Sequence, residues 1–568
     1  MNFLDFLQFC DEKAIRFSLV DEQLKINAPK NTLSPDVIAE LHKFKPELIA
    51  WVSRYAEEYT DPNAEGACIA VLERSAFGDE FLASYSQEQI WLNCQINKTG
   101  AAYHFSRILE LSRPLDVEAL ERSFFAVVSR HEALRTVFFE REGCLYQHIL
   151  QDHSFSMPVT DISSLNESEA LLIVEEIQQD VINTVFDLHK DVMLRAHLIQ
   201  LRHQYKLVVV LHSIASDGWS LGVLVKELQA FYSSCIEEDS VGLLPLPVQY
   251  VDYSYWLHDS FKGNLFLESM NYWVDKLTGI TEIGGIQTDY QHSGSTFDGG
   301  GLCFLLGKSD TEKLHQLALD NDATLFMVLE CIFAILISRH SHMEDVVIGT
   351  PVANRPHDDL FELIGCFVNI VLLRHNLNSR LSFNRILKNV RKDILEAFNH
   401  QHVPVEKIIQ SIAPHRRINS KPIIQTVFNL QNNAIPELLL HDVHCQVTRP
   451  NKVHSLFDLE LEVIVTDEGL ECRFQYSTSL FSRETIQQLS NQFVALTKNI
   501  LANPDLLLNE IDMLNPTDRH QLLVEWNDTV RAYPQDHCIH ELFEAQVEKA
   551  PEAVAVIFED QQLTYGEL

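Results

Sequence analysis

The sequence predicts an α/β fold in two lobes, preceded by a small α-β-β-α unit. Three observations predict it. Helical apolar periodicities alternate with β-branched runs between Val117 and Asn399, the pattern of sheets flanked by helices. The stretch from 80 to 515, about 430 residues, exceeds the size at which a single core stops growing, so two lobes are expected. Residues 1–60 carry an apolar pattern of their own, which sets them apart as a separate unit.

In chain order, Phe3, Leu4, Phe6 and Leu7 give a helical apolar face. Residues 15–19 and Gln23–Asn27 then alternate around Asp21-Glu22, as the strands of a hairpin do. Ser34 followed by Pro35 is a helix start, with a capping hydroxyl and a proline in the first turn. So short a unit cannot cover both faces of its hairpin, which leaves one edge for strand addition by a partner; the other reading is a subdomain packed on its own main body. Residues 61–79, with Asp61-Pro62-Asn63 and Gly66, read as a linker. The first lobe is expected over 80–258 and the second over 259–515. Their helices are predicted over 117–129, 166–184, 222–233, 310–318, 325–338 and 383–399, and strands over 207–211, 346–348 and 370–374. From 516 to 568 a new apolar pattern is only beginning at the last residue, which reads as a cut within a longer polypeptide.

Composition narrows the function classes. With 44 Lys+Arg against 80 Asp+Glu, the formal charge is -36, which argues against nucleic acid or an anionic membrane as the main partner, since both call for a basic surface. Eleven cysteines without a CxxC pair fit reduced thiols in a cytosol better than a disulfide framework. The N-terminus carries Asp5 and no basic region ahead of its apolar residues, unlike a secretory signal. The longest apolar run, Leu325 to Ile337, is about 13 residues where a membrane helix needs roughly 20, and it reads as a buried helix. The glycine-rich segment 293–301 lacks a following Gly-Lys-Ser/Thr, so no phosphate loop is read there. His340 and His342 form no metal pattern, and no metal is expected.

The most informative segment runs from Val208 to Ser220. An apolar strand delivers His212, Ser213, Asp217, Gly218 and Ser220 into a turn, with a helix expected from about Leu221. Polar side chains gathered at a strand end are where α/β enzymes place chemistry. The plainer reading is a capping turn, in which Asp217 or Ser220 satisfies backbone amides and His212 is a packed histidine.

These residues resemble the condensation domains of non-ribosomal peptide synthetases, within the chloramphenicol acetyltransferase-like fold. The family signature HHxxxDG reads here His212-Ser213-Ile214-Ala215-Ser216-Asp217-Gly218. Further family motifs follow in order: 86–91, 130–138, 250–256, 348–355 with 364–369, His402-Val403-Pro404 with Glu406, and 428–431. Residues 1–60 resemble TubC-type docking domains, and Leu563–Leu568 resembles the first core motif of an adenylation domain. The resemblance implies a donor acyl or peptidyl thioester and an acceptor aminoacyl thioester, each carried on the phosphopantetheine arm of a carrier protein, with no cofactor bound by the domain itself. It implies as partners donor and acceptor peptidyl carrier proteins, a downstream adenylation domain and an upstream synthetase whose C-terminal tail meets residues 1–60. Arg16 and Lys25 are the docking residues expected on the hairpin, and the setting implied is the bacterial cytoplasm.

By the same resemblance Asp217 pairs with Arg355 to hold the loop, Asn354 and Trp219 give structural support, and the Gly218 amide is the candidate contact for the thioester oxygen. One position departs from the family. Where the second histidine assists attack of the acceptor amine, this chain has Ser213, which neither titrates near neutrality nor becomes a cation. Reduced activity, lost activity with a docking or scaffold role, and a divergent reaction on a tethered acyl chain all stay open. A covalent role for Ser213 lacks a base, because His212 is its strand neighbour and points to the opposite face. Epimerisation fits poorly ahead of an adenylation segment, and heterocyclisation would need aspartate at position 212.

Overall fold

The N-terminal hairpin forms where the alternation places it. Arg16–Val20 (β1) pairs antiparallel with Gln23–Asn27 (β2), with Arg16 opposite Asn27 and Lys25 opposite Ser18. The computed structural model describes residues 16–20, 23–27, Val37, Leu41, Lys43, Lys45 and 69–568, apart from 75–79, 98–99, 113–114, 238–241, 262, 281–285, 292–296, 414–423, 432–437, 441–442, 449–452 and 533. The helix expected near Phe3, the Ser34-Pro35 start, most of the linker and the side chains of Arg16 and Lys25 lie outside the described residues. Val37 and Leu41, four apart on one helical face, are buried.

The first lobe is built on Glu80–Leu82 (β3), Tyr85–Asn97 (α1), His104–Ser112 (β4), Val117–Arg130 (α2), Thr136–Arg141 (β5), Cys144–Ile149 (β6), Val159–Asp161 (β7), Glu167–Asn183 (α3), Leu194–Gln200 (β8), Gln204–His212 (β9), Gly218–Glu237 (α4) and Tyr250–Ser260 (α5). Its main sheet runs β7-β8-β9-β4, with β3, β6 and β5 forming a separate three-stranded sheet. Strand β9 is apolar almost throughout because both its faces are covered. Leu207, Val209 and Leu211 pack in one core with α2 and α4, while Val208 and Val210 pack in another with α3. This alternation decides which way the next two residues point.

The second lobe comprises Asn264–Leu277 (α6), Asp298–Gly307 (β10), Lys308–Asp320 (α7), Leu325–Ser341 (α8), Asp345–Val352 (β11), Asn369–Asn376 (β12), Phe383–Asn399 (α9), Val405–Ile412 (α10), Thr426–Gln431 (β13), Cys445–Thr448 (β14), Val453–His454 (β15), Leu459–Thr466 (β16), Gly469–Ser477 (β17) and Arg483–Ala502 (α11). Its sheet has the order β12-β11-β13-β16-β17-β10-β15. The Leu325 run forms the central helix of the core, with residues 327–338 all buried. Among the described residues, no single helix is long and apolar enough to cross a membrane.

One segment departs from the expected division at 258/259. Strand β14 pairs antiparallel with β4, so residues 445–448 complete the first lobe's sheet. Ile364, Leu438, Leu440 and Val443 also pack in the first lobe's core. The physical reason is the edge of β4, whose unpaired backbone groups need a partner. The residues from 514 onward form a second unit. It contains Pro516–His520 (α12), Ile539–Lys549 (α13) and a hairpin of Val554–Phe558 (β18) with Gln561–Thr564 (β19).

Candidate functional site

His212 ends β9 on the same face as Val208 and Val210, and is buried. It sits beside the rings of His104 and Phe186, each 5.7 Å away between centroids. Its Nδ1 accepts the Ile214 amide at 3.1 Å. Burial, with His104 close by, pulls its pKa down to about 3, so the ring is neutral at physiological pH. His104, opposite His212 in register, is itself pulled down to about 4 by burial. His212 therefore packs and supports the turn; it neither becomes a cation nor reaches its neighbour's face.

Ser213 turns the other way and is half-buried. Its amide and its hydroxyl both donate to the Tyr103 carbonyl at 2.8 Å. The hydroxyl proton is thus held by a carbonyl oxygen, and among the described residues no imidazole is hydrogen-bonded to it. Tyr103 is fixed in turn through its own hydroxyl, which accepts from Asn93 Nδ2 at 2.7 Å.

Helix α4 begins at Gly218, three residues earlier than the sequence suggested, because Asp217 caps it. Asp217 Oδ1 accepts the Ser220 amide at 2.8 Å and the Ser220 hydroxyl at 2.7 Å, satisfying groups that a helix start leaves without partners. The same carboxylate reaches into second-lobe sequence. Arg355 Nη2 donates to its two oxygens at 3.1 and 3.2 Å, and the Phe367 amide donates to Oδ2 at 3.1 Å. Both partners of this ion pair are buried. Burial lowers the Arg355 pKa and Asp217 opposes the shift. Arg355 also donates to the Leu363 carbonyl at 2.9 Å and stacks over the Phe367 ring at 4.0 Å.

Gly218 is exposed, and a Cβ built on it would meet no protein atom within 4 Å. Packing of the chain on itself does not call for a glycine here. Its amide is one of the unpaired donors of the α4 N-terminus, a position suited to a partial negative charge. Gly365 is different. A Cβ there would lie 2.3 Å from Tyr250 Cδ2, so the close approach of its loop to α5 demands glycine. Trp219 donates from Nε1 to the Phe361 carbonyl at 2.8 Å, and Asn354, at φ 48°, donates to the Tyr253 hydroxyl at 3.2 Å.

The structure thus gathers Asp217, Gly218, Trp219, Arg355 and Asn354 where first- and second-lobe segments meet, holds Ser213 in the same turn against the Tyr103 carbonyl, and leaves His212 on the far face of its strand. Other residues carry contacts that the sequence does not announce. His131 and Arg130 share the buried Glu227, at 2.8 Å each, and His131 Nδ1 accepts the Ile364 amide at 3.3 Å. Glu227 lies outside every motif, in the middle of α4. Asn369 accepts the Val405 amide and donates to the Gln401 and Val403 carbonyls, which fixes the start of α10. Glu406 follows in its first turn. The available signal for His131, Asn369 and Glu406 was their position inside ordered motifs; what they touch is set by tertiary contacts that no local pattern encodes.

A condensation-domain family model matches residues 78–523, and a TubC N-terminal docking-domain model matches residues 4–53. Gramicidin S synthase 2 of Brevibacillus brevis is 32% identical over 548 residues, covering 94% of this chain and 12% of that protein. Tyrocidine synthase 3 of Brevibacillus parabrevis is 32% identical over 487 residues, 85% of this chain and 7% of that protein. The chain therefore spans about a tenth of the length of these relatives. Among solved structures, the first condensation domain of the calcium-dependent antibiotic synthetase in complex with a substrate analogue superposes with a TM-score of 0.66 at 18% identity, over 77% of this chain and 99% of that one. The X-domain from teicoplanin biosynthesis gives 0.71 at 23% identity, over 79% and 100%. At these identities the structural likenesses establish the fold alone, and the family models carry the assignment: the chain belongs to the condensation-domain family of non-ribosomal peptide synthetases, with a TubC-type docking domain at its N-terminus.

Proposed function

We propose that the seam around Ser213 and Gly218 forms an amide bond between a donor acyl or peptidyl thioester and an acceptor aminoacyl thioester, both presented on the phosphopantetheine arms of carrier proteins. The observation that carries this reading is Gly218. Its amide heads α4, a Cβ built on it would meet no protein atom within 4 Å, and it follows Asp217, whose pairing with Arg355 ties two lobes together. Such a donor stabilises the oxygen of a thioester carbonyl as charge develops on it. The neutral acceptor amine attacks the carbonyl carbon, the carbon–sulfur bond breaks, and one proton passes from nitrogen to the departing thiolate, giving amide and thiol.

Ser213 cannot take that proton as an imidazole would, and the expected cost is about 10²–10⁴-fold. An α-amino group with a pKa of about 7.7–8.0 is already roughly one-third neutral near pH 7.5. Holding it against the thioester can supply about 7–11 kcal/mol of the acceleration. The chain in this reading is a slow enzyme rather than an inert one. The residue at 213 also favours a second reading, a scaffold that docks carriers without chemistry.

On the family's pattern, residues 80–258 and 259–515 are the lobes, 61–79 the linker and 516–568 the entry to an adenylation domain. Residues 1–60, with Arg16 and Lys25, receive an upstream synthetase's tail, and the site of action is the cytoplasm, where the free cysteines of the described residues stay reduced. Loaded donor and acceptor carriers offered to this chain and to Ser213→His separate the readings. Product from both, faster with histidine, supports the slow enzyme. Product only with histidine supports the scaffold, and equal rates remove the claim that position 213 limits the reaction.

A further inference from the structure

Two of the family motifs carry carboxylates that the seam does not use, and both converge on one arginine. Glu132 lies in 130–138 and Asp252 in 250–256. Asp252 is buried at the start of α5, where its Oδ2 accepts the Gln249 amide at 2.7 Å. Arg74 Nη1 donates to Asp252 Oδ1 at 2.7 Å and Nη2 to Oδ2 at 3.1 Å, while Nη2 also donates to Glu132 Oε2 at 3.0 Å. The Leu72 amide adds a bond to Asp252 Oδ1 at 2.8 Å. Upstream, Ile69 is 2% exposed and packs with Tyr250, Tyr253 and Leu257 of α5 and with Leu360 and Phe367 of second-lobe sequence. Residues 69–74 fall within the stretch that composition predicts to be linker, yet they are gripped at both ends, by apolar packing at Ile69 and by charge at Arg74. A solvated spacer has no reason to bury an isoleucine or to complete a buried ion pair.

We propose that Ile69–Arg74 is a strap that anchors the docking domain's tether to the lobes, with Arg74 as its positioning residue. Resting on the amide-forming reading above, the strap sets how closely an upstream synthetase's donor carrier is held to this domain. The docking-domain match ends at Ser53, about 16 residues before Ile69. At roughly 3.3–3.6 Å per residue that stretch spans at most about 55 Å, whatever its conformation. Without the grip, the first element of the lobe is β3 at Glu80, about 27 residues away and at most about 95 Å. Effective concentration across a tether falls roughly as the −3/2 power of its length, so release dilutes the held carrier about two-fold or more at the lobes. Arginine suits the task because its planar fork meets a carboxylate with two bonds at once and keeps its charge, where lysine offers only a point charge.

The test uses the full chain as wild type, Arg74→Gln, Arg74→Lys and the Arg74→Gln/Asp252→Asn double variant, which opens the clamp without leaving Asp252 as an unpaired buried charge. Thermal unfolding checks that each is folded. Energy transfer between dyes carried on noncanonical residues at Asp21, between β1 and β2, and at Ser260, the exposed end of α5, reads the tether without catalysis. The expected result is a longer and broader separation in Arg74→Gln and in the double variant, with Arg74→Lys between them and the wild type. Hydrogen exchange should rise over 69–74 and stay at its wild-type level over α2 and the strands β4 and β9. An unchanged separation in both released variants, or exchange that rises across the whole first lobe, overturns the proposal. Amide formation supplies the second reading. A donor carrier bearing the upstream tail should react about two-fold or more slowly at saturation in the released variants, while a tail-less donor keeps its wild-type rate. Equal slowing of both donors overturns the strap's role in delivery and makes Arg74 merely structural. No amide from any variant with either donor overturns the reading of the seam, and the separation measurement then decides the strap by itself.

Discussion

The two neighbours His212 and Ser213 divide their work by strand parity. One continues the face of Val208 and Val210 into a dry core beside His104 and Phe186; the other turns to the Tyr103 carbonyl. The signature alone identifies the position of Ser213, and the alternation of β9 tells which face it takes. On the proposed chemistry, Ser213→His raises the rate of amide formation by about 10²–10⁴-fold, and Ser213→Ala leaves it near the wild-type value; a large loss in the alanine variant would point to a covalent serine. The Asp217–Arg355 pair makes a thermodynamic prediction. Arg355→Ala leaves a buried carboxylate without its counter-charge and destabilises the protein by about 3–5 kcal/mol, measured as a shift in the midpoint of denaturant unfolding. The plainer reading of the segment, a capping turn, is also present in the geometry. Asp217 caps α4 and pairs with Arg355, so capping and site support are one device.

Elements carry the next set of constraints. Helix α9 covers Phe383–Asn399, the range its periodicity predicts, and α8 is the buried helix that its apolar run predicts. What the periodicity hides is Glu330, a carboxylate inside that run. It meets His375 Nε2 at 3.0 Å, while Asp393 Oδ2 lies 3.3 Å from His375 Nδ1 and Lys276 Nζ 2.6 Å from Asp393 Oδ1. Burial opposes the charged imidazole, yet the two carboxylates prevail and hold His375 at about 9. The folded state therefore binds this proton more tightly than the unfolded chain, whose histidine titrates near 6.5. The resulting stabilisation is complete below about 6.5 and is lost as pH rises through about 9. Melting temperature followed from pH 6.5 to 10 should fall, and His375→Gln should flatten that fall. Gly365 offers a second check at this scale. Gly365→Ala forces a methyl group against Tyr250 and should destabilise by about 1–3 kcal/mol; a neutral result would mean that the 364–368 loop gives way freely.

At the scale of the molecule, length and alternation announce two lobes, and the sheets of four first-lobe strands and seven second-lobe strands agree. The exchange of β14 was not legible, since Cys445-Gln446-Val447-Thr448 is a short strand whose sequence says nothing of which edge it joins. It matters for mechanism, because β14 and the Asp217–Arg355 pair are two separate ties between segments that must hold one seam. The helix start at Gly218 was also missed, since glycine is a poor helix residue by propensity and only the cap contacts place it there. The hairpin of residues 16–27 was legible from alternation alone. Lys25→Glu should weaken binding of an acidic tail from an upstream synthetase, read as an increased Kd at low salt. The net charge of -36 keeps such contacts local, because an acidic partner is repelled by the molecule as a whole and must be drawn to basic or apolar patches.

Transfer of an acyl group from one carrier thiol to the amine on another, at this seam, leaves a mass signature on each carrier. Intact-mass measurement of both carriers after a single turnover reads it directly. The acceptor carrier should gain the mass of the donor acyl group while the donor carrier returns to its free thiol and the chain itself stays unmodified. An acceptor of unchanged mass with the donor hydrolysed, or an acyl adduct on the chain at Ser213, would contradict it.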